Sequence, residues 1–204
     1  MPVRRGDVTR EGGKVAEAAD LWLGMQVRDL RKTNRLSLQQ LADKSGLSVG
    51  LLSQIERGLT SPSIRSLRQI SEALGVTPAR FFHQEEAPPP DEIGRIVRRG
   101  KGRQLRLSGA GVAKWLLTPD LSGELEMLLV EIQPGGKSGE ELYTHRGEEC
   151  GYVVVGAMRL WVEEHCYLLQ EGDSFRFRST IPHRFENAAE TVTSVLWIIT
   201  PPLY

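Results

Sequence analysis

The sequence predicts two domains, an all-α domain of five short helices followed by an all-β barrel or jelly roll. Up to about His83, apolar residues recur at the spacing of amphipathic helices. From about Gln104 onward they alternate in short runs separated by Gly, Pro and Asp/Asn turns, as strands do. Between these patterns lies a proline-rich segment containing Pro88–Pro90. The predicted boundaries are a disordered arm over 1–19, a helical domain over 20–83, a linker over 84–94 and a β domain over 95–204.

The stretch from Ser37 to Gly58 predicts two short capped helices around a tight turn. Ser37 and the glutamine three residues later form a capping box, which satisfies backbone donors at a helix start. Gly46 ends this helix, because glycine takes the left-handed conformation at low cost. Ser48 caps the second helix, and Gly58 ends it. One amphipathic helix precedes the pair and one follows it, and Thr77-Pro78 marks the start of a fifth.

The polar side of the second helix carries small or amide residues, namely Ser48, Gly50, Ser53 and Gln54. Short side chains let a helix approach the floor of a DNA groove, and glutamine can bond the N6 and N7 atoms of adenine together. The pattern therefore indicates a DNA-reading helix-turn-helix. The alternative is an ordinary helical bundle in which Gln54 is only an exposed polar residue.

Three segments of this region carry a family resemblance: LRKTNRLSLQQLADKSGLS, LLSQIERG and SPSIRSL. They resemble the phage-repressor (Cro/C1, or XRE) DNA-binding domain over essentially its whole length. The resemblance implies that 48–57 is the recognition helix and that Arg31 pairs with Glu56. The implied DNA-contacting residues are Ser48, Val49, Gly50, Ser53 and Gln54 toward the bases, and Gln39, Arg57, Ser63 and Arg65 at the phosphates.

The charge distribution agrees with a DNA-binding front half. The formal net charge of the chain is zero, which by itself argues against a nucleic-acid binder. Residues 20–83, however, hold nine Lys/Arg against five Asp/Glu, a net charge of +4, and the arm adds +1. The rest of the chain must then carry −5. A basic front and an acidic back are expected of a DNA-binding module joined to a different domain.

The composition also points to a cytoplasmic protein. Cys150 and Cys166 lie far apart without CxxC spacing, so free thiols are expected. No apolar run approaches the ~20 residues that a transmembrane helix needs. The first residues, rich in Arg, Gly and acidic side chains, favour a disordered arm over a targeting peptide. The three prolines of the linker favour a stiff polyproline II spacer, which could transmit a rearrangement between the domains.

Nine strands are expected in the second domain, and their spacing is typical of an all-β barrel or jelly roll. The predicted strands are Gln104–Leu107, Val112–Thr118, Leu125–Ile132, Gly151–Val155, Arg159–Val162, Tyr167–Leu169, Ser174–Phe177, His183–Glu186 and Thr193–Ile199.

A second, partly degraded signature lies within these strands. The run HRGEE from His145 to Glu149, followed six residues later by a glycine, is similar to the first cupin motif from its second His onward. Gly172-Asp173 with the downstream His183 matches the spacing of the second cupin motif. Metal-dependent cupins use three His and one Glu, and here Tyr143 stands where the first His would be. The resemblance implies a cupin fold, with His145, Glu149 and His183 in three of the four metal positions.

Three roles for these residues stay open from the sequence. His145, Glu149 and His183 could hold a divalent metal (Zn²⁺, Ni²⁺ or Fe²⁺), with a phenol or water completing the shell. Together with Tyr143, they could instead line a ligand pocket as hydrogen-bonded polar groups, or they could serve packing alone. Tyr143 is a poor neutral metal ligand, because a phenol with a pKa near ~10 stays protonated without a neighbouring cation.

The two halves together resemble bacterial regulators with a repressor-type helix-turn-helix in front of a cupin sensor. This implies a non-enzymatic regulator that binds an operator in double-stranded DNA, as a homodimer on two half-sites, under control of a small metabolite. Effectors in such families include polyamines, amino acids and peptides. Four carboxylates near the pocket motif, Glu140, Glu141, Glu148 and Glu149, would suit an amine. The alternatives are a metal-dependent cupin dioxygenase or isomerase with a DNA-binding appendage, and a repressor whose β half only dimerises.

Overall fold

The computed structural model describes residues 8–83 and 88–203, with side chains from Ala18 onward. The helical domain consists of α1 (Val8–Thr33), α2 (Leu38–Ser45), α3 (Val49–Glu56), α4 (Ile64–Leu74) and a 3-10 helix at Pro78–Phe81. No helix in this part of the chain is both long and apolar enough to cross a membrane.

The helical domain has four α-helices in the described residues, so the expected count of five is not confirmed. The fifth segment is a four-residue 3-10 helix that begins at Pro78 as expected. It ends after one turn because Phe82 is extended, with φ −81° and ψ 121°. The next residue, His83, pairs with Gln104 through two backbone hydrogen bonds of 2.7 Å.

The first helix begins earlier than expected. The structure starts α1 at Val8, so 8–19 is helical and the predicted disordered arm over 1–19 is wrong for those residues. The run KVAEAAD before Leu21 is made largely of good helix formers, which outweigh the glycines near the start of the helix. Residues 1–7 of the predicted arm lie outside the described residues.

The predicted caps of the two motif helices are confirmed. The Ser37 hydroxyl accepts a hydrogen bond from the Gln40 N–H at 3.1 Å, and the Ser37 N–H donates to the Gln40 side chain at 2.7 Å. Gly46 takes a φ of 71° at the end of α2. The Ser48 hydroxyl accepts from the Leu51 N–H at 3.2 Å. These caps fix the turn that sets α3 against α2.

Helix α3 is held against α1 by a close backbone approach and by one ion pair. A Cβ on Gly24 of α1 would collide with the Ile55 carbonyl oxygen, so only glycine permits this approach. Arg31 donates to the two carboxylate oxygens of Glu56 at 2.6 and 2.9 Å, and to the Leu36 carbonyl at 2.8 Å. The hydrogen bond with Glu56 raises the pKa of Arg31. The implied Arg31–Glu56 pair is therefore present and positions α3.

The second domain contains all nine expected strands, arranged as two antiparallel sheets. One sheet has the order β1-β2-β3-β9-β4-β7 and the other β6-β5-β8. Their apolar inner faces pack on each other to form the core, as in a jelly-roll barrel. The strands are β1 (Gln104–Leu107), β2 (Val112–Leu116), β3 (Glu126–Ile132), β4 (Glu148–Val155), β5 (Ala157–Val162), β6 (His165–Gln170), β7 (Ser174–Arg178), β8 (His183–Asn187) and β9 (Thr193–Thr200).

The linker differs from the expected stiff spacer. Residues 84–87 lie outside the described residues. From Pro90 to Arg95 the chain forms turns, and the Glu92 N–H donates to the Pro89 carbonyl at 2.9 Å. The buried Glu92 carboxylate also accepts from Arg98 at 2.5 and 2.9 Å, which favours a folded turn over an extended polyproline segment.

The two domains contact each other directly at the start of α4. The Ile64 N–H donates to the Ser138 carbonyl of the β domain at 3.3 Å, and Arg65 forms an ion pair with Glu141. A Cβ on Gly139 would lie 3.6 Å from the Ser63 Cβ. The loop 138–141 therefore covers the first turn of α4.

Candidate functional site

The predicted base-reading face of α3 is largely open to solvent. Gly50 and Gln54 are exposed, and Ser53 is half-exposed. Val49 instead packs partly against the helical core, and the Ser48 hydroxyl is occupied by its cap. Gly50 and Gln54 are therefore free to meet a groove floor, while Val49 and Ser48 also serve the fold.

The predicted phosphate-contacting residues separate into two groups. Gln39 is an exposed residue of α2 and donates to Asp43 at 2.9 Å. Arg57 is also exposed and donates to the Ser53 carbonyl at 3.2 Å. Ser63 caps α4 by accepting from the Ser66 N–H at 3.1 Å. Arg65 pairs with Glu141 of the β domain. Two of the four residues thus belong to the domain contact, and their DNA roles stay predictions.

The barrel centre brings the three predicted metal-position residues together. His145 precedes β4, Glu149 is the second residue of β4, and His183 opens β8. All three are buried, and one ligand atom from each lies within 4.8 Å of the others. The same oxygen, Glu149 Oε1, contacts His145 Nε2 and lies 3.2 Å from His183 Nε2.

Backbone carbonyls orient both imidazoles. His145 Nδ1 lies 3.0 Å from the Arg146 carbonyl, and His183 Nδ1 lies 2.8 Å from the Ile181 carbonyl. A carbonyl only accepts, so each Nδ1 carries the hydrogen and each neutral ring turns the lone pair of Nε2 toward Glu149. Three acceptor atoms then converge on one point. Such an arrangement is stable only with a cation there, either protons on the imidazoles or a metal ion.

The carboxylate itself is held in its charged form. The Trp197 indole N–H donates to Glu149 Oε2 at 2.6 Å, which fixes one oxygen and leaves Oε1 facing the histidines. Burial alone would raise the pKa of Glu149, but hydrogen bonds and charge from the imidazolium forms of His145 and His183 lower it well below its usual value. The ring of Tyr143 lies edge-on to His183, with ring centroids 4.3 Å apart. All four predicted ligand-binding residues therefore meet at one place.

The cavity at this centre is small and is lined in part by the helical domain. Its volume is about 10 Å³, the space of about one water molecule or ion. Ile64 and Arg68 of α4 line it, together with Tyr143, His145 and Glu149. The helix that belongs to the DNA-binding domain thus covers the mouth of the barrel.

Two cations at this cavity were not predicted. Lys114 on β2 is 5% exposed and lines the cavity, as does Arg68. Lys114 could have been predicted, because it occupies an inward position between Val112 and Leu116 of an apolar strand. Arg68 had no such signal, because it reaches the cavity only through the packing of one domain on the other.

Three of the four carboxylates predicted to suit an amine lie away from the barrel centre. Glu140 pairs with Lys137, Glu141 with Arg65, and Glu148 with Arg176. Glu149 is the member of that set that lines the cavity. The lining thus contains the carboxylate of Glu149 and the basic side chains of Arg68 and Lys114.

These features define a class of protein, a helix-turn-helix regulator fused to a cupin barrel. Residues 27–81 match the helix-turn-helix family HTH_3, and residues 128–199 match the cupin-domain family Cupin_2. The chain is thus an XRE-type transcriptional regulator with a C-terminal cupin domain.

Several known transcriptional regulators are similar to this chain over most of its length. The HTH-type transcriptional regulator PuuR of Escherichia coli (strain K12) is 28% identical over 181 residues, covering 89% of this chain and 96% of that protein. The regulator SutR of the same strain is 24% identical, covering 83% of this chain and 89% of that protein. The crystal structure of an HTH_3 family transcriptional regulator from Vibrio cholerae is 25% identical, with a TM-score of 0.60, and covers 92% of this chain and 99% of that chain.

Gly50 offers a test that separates stability from DNA contact. A Cβ at this position would meet nothing within 4 Å, so Gly50→Ala should raise the free energy of unfolding by up to about 1 kcal/mol through helix propensity. The same methyl group would stand between α3 and the groove floor, so we expect operator affinity to fall roughly tenfold or more. Denaturant unfolding measures the first effect. Fluorescence anisotropy, with a DNA site selected by the wild-type protein from a random library, measures the second.

The matched control is Met25→Ala, a neutral change on the exposed side of α1. It should leave operator affinity unchanged. A stable Gly50→Ala variant that binds the selected site as tightly as the wild type would contradict the assignment of α3 as the recognition helix.

Proposed function

We propose that the chain is a sequence-specific regulator that binds operator DNA as a homodimer in the cytoplasm and senses a small metabolite in its cupin barrel. The observation that carries the proposal is the shared role of α4. Its residues Ile64 and Arg68 close the cavity at the His–Glu–His centre, while Ser63 and Arg65 are the predicted phosphate contacts. Operator contact and barrel access then involve the same helix.

The bases would be read by Gly50, Ser53 and Gln54 on α3, with Val49 and Ser48 at its first turn. Gln39 and Arg57 would hold phosphates from exposed positions, which fix register without reading sequence. One such module buries only ~600–1,000 Å² on DNA, so useful affinity calls for two copies on two half-sites.

The barrel centre would hold a divalent metal, Zn²⁺, Ni²⁺ or Fe²⁺, through His145, Glu149 and His183. The residues fit such an ion, because both Nε2 atoms and Glu149 Oε1 converge and because carbonyls fix both imidazoles from behind. The ion would supply a Lewis-acidic position for a donor group of the effector. Tyr143 would line the same pocket beside the effector.

The effector class follows from the lining. Arg68 would bind a carboxylate, while Glu149 with its metal would face the opposite end. An amino acid or another small carboxylate meets these groups better than a simple polyamine. A cavity of about 10 Å³ does not hold such a molecule, so binding requires Ile64 and Arg68 to move away from the mouth.

Because effector binding requires this movement of α4, it would be coupled to operator binding. Helix α4 also carries Leu67 and Ile70 in the helical core, so it moves with its own domain. Opening the mouth would break the contacts of Ile64 and Arg65 with the loop 138–141 and release Arg65 for a phosphate. Effector and operator would then favour the same open state, and by linkage each would raise the affinity for the other.

A second candidate is a metal-dependent cupin dioxygenase or isomerase with a DNA-binding appendage. Two histidines and one carboxylate are the ligand set of non-haem Fe(II) oxygenases, which favours this alternative. Oxygen consumption or turnover of a small carboxylate by the iron-loaded protein would support it. Operator affinity that responds to a carboxylate without turnover supports the sensor.

Metal content tests the barrel centre. After loading with Zn²⁺, Ni²⁺ or Fe²⁺ and dialysis, we expect the wild type to retain about one ion per chain and to melt at a higher temperature. Glu149→Gln and His183→Ala should each lose the ion, because each removes one of three converging ligand atoms. Elemental analysis and thermal unfolding give the two measurements.

The matched control for metal retention is His165→Ala, which removes an exposed histidine on β6. It should bind as the wild type does. A wild-type protein that retains none of the three metals, or that loses them equally on His165→Ala, would contradict the site.

The domain contact predicts the effect of Glu141→Gln. This change removes the partner that holds Arg65, so operator affinity should rise by roughly two- to five-fold, the scale of an exposed ion pair. Glu140→Gln is the matched control. Glu140→Gln removes the same charge at the adjacent position. Glu140, however, pairs with Lys137 of its own domain and not with Arg65. Anisotropy titrations at fixed salt measure the operator affinity of both variants. An equal rise in affinity for Glu141→Gln and Glu140→Gln would contradict the prediction, because the change in net charge alone would then explain it.

A further inference from the structure

The segment 95–103 is strongly basic within an otherwise acidic part of the chain. It reads RIVRRGKGR, with five Lys/Arg and no Asp/Glu among its nine residues. The preceding segment 84–94 carries four Asp/Glu and no Lys/Arg, and residues 104–204 carry fourteen Asp/Glu against eight Lys/Arg. Positive charge concentrated on so short a stretch attracts ligands of the opposite sign. The segment is therefore a candidate binding site for an anion.

This segment lines a cavity of about 900 Å³, a volume typical of sites for small organic ligands. Its other walls are the prolines 88–90 and residues 118–120, which follow β2. Among the residues that the structure describes, this cavity and the one at the barrel centre have no lining residue in common. Its lining also lies outside the two segments that match known families, 27–81 and 128–199. It is therefore a second cavity, separate from the cupin site.

The turn that follows the prolines presents apolar side chains to this cavity. Ile93 and Ile96 line it and remain 59% and 42% exposed, and Val97 lines it as well. The Ile96 N–H donates to the Glu92 carbonyl at 3.1 Å, and the Glu92 N–H donates to the Pro89 carbonyl at 2.9 Å, so the backbone here is folded. A ligand with an apolar body would remove these side chains from water without first having to order the turn.

The same lining carries more positive than negative charge. Its net charge is +2, from the four cations Arg98, Arg99, Lys101 and Arg103 and the two carboxylates Glu92 and Asp120. Arg98 is already compensated, because the buried Glu92 carboxylate accepts hydrogen bonds of 2.5 and 2.9 Å from it. Asp120 accepts from the N–H and the hydroxyl of Ser122, at 2.9 and 2.6 Å. Arg99 is exposed and has no ion-pair partner within 4 Å among the described residues, so its guanidinium is available to an anion.

We propose that this cavity binds a small organic anion, with its carboxylate or phosphate at Arg99 and Arg103 and its apolar body over Ile93 and Ile96. Guanidinium groups suit this role, because each presents two parallel N–H donors to the oxygens of a carboxylate or a phosphate. The site is distinct from the cupin barrel, and the proposal holds whether or not the barrel binds a metal or an effector.

A small anion fits these residues better than the backbone of DNA does. Proteins contact the DNA backbone mainly at its phosphate and sugar oxygens, which offer nothing to Ile93 and Ile96. The arginines also line a cavity of ligand size together with these apolar side chains. Charge and apolar surface within one cavity are what an anion with an apolar body requires.

Isothermal titration calorimetry of the full-length protein tests the proposal with four probes. Octanoate and octyl phosphate carry the two candidate head groups on the same apolar chain. Octylamine carries the opposite charge, and acetate lacks the apolar chain. We expect octanoate, octyl phosphate or both to bind with a Kd below about 1 mM, and octylamine and acetate to bind roughly tenfold or more weakly than that. A protein that binds neither octyl anion would overturn the proposal.

Variants of exposed residues locate the bound anion. Arg99→Gln should weaken binding of the octyl anion roughly fivefold or more, because it removes an available guanidinium. Ile96→Ser should weaken it as well, because it removes apolar surface from the lining. Arg95→Gln is the matched control, since Arg95 is an exposed arginine of the same segment that is not among the lining residues. It should bind as the wild type does, and equal weakening in Arg95→Gln and Arg99→Gln would contradict the site.

Two other outcomes would also overturn the proposal. An anion that binds Arg99→Gln with wild-type affinity but is lost from His183→Ala would be held in the barrel. Contact of the segment with DNA would leave octyl anion binding unchanged in Arg99→Gln. It would instead lower the slope of log operator affinity against log salt concentration by about 1.

Discussion

The structure depends on one arrangement of buried groups, in which the Nε2 atoms of His145 and His183 converge on Glu149. Backbone carbonyls contact the Nδ1 atoms of both rings, and the Trp197 indole donates to the other oxygen of Glu149. These contacts fix the orientation of the two Nε2 atoms and of Glu149 Oε1. An anionic oxygen that faces two lone pairs is stable only with positive charge between them. The barrel centre is therefore suited to holding a cation, and α4 of the other domain lines the cavity beside it. A metal ion bound by these three residues would satisfy this need.

The contact between α4 and the loop 138–141 of the β domain consists of weak interactions. It includes one backbone hydrogen bond from Ile64 and an exposed ion pair of Arg65. Each such interaction contributes about 1 kcal/mol or less. A ligand can move an equilibrium of this size, because a differential affinity of a few kcal/mol inverts the populations of two states.

Local patterns in the sequence predicted most of the fold. The capping residues Ser37 and Ser48 fixed the motif helices, and period-two alternation located all nine strands, because both signals act over a few residues. The helical stretch over 8–19 was missed because a local excess of Arg and Gly was given more weight than the helix formers that follow. The proline-rich linker was misjudged because the turn from Pro90 onward is held by a contact between Glu92 and Arg98, which no local pattern shows.

The site was predicted less completely, and the missing part is the contact between domains. Motif spacing located His145, Glu149 and His183, since strand register fixes which side chains face the barrel. Lys114 could have been noticed as a charge at an inward position. Arg68 and the pairing of Arg65 with Glu141 could not, because they depend on how the two domains pack on each other.

The central claim, that α4 must leave the barrel for tight DNA binding, can be tested by locking the contact. Cysteines in place of Ser63 and Gly139, in a protein whose Cys150 and Cys166 are serine, would place the two Cβ atoms 3.6 Å apart, within the ~3.5–4.5 Å range of a disulfide. Any backbone strain at Gly139 is common to both oxidation states and cancels in their comparison. The oxidised protein should bind the selected operator roughly tenfold or more weakly than the same protein after reduction. Equal affinity of the oxidised and reduced forms, with the disulfide verified by mass spectrometry, would contradict the claim.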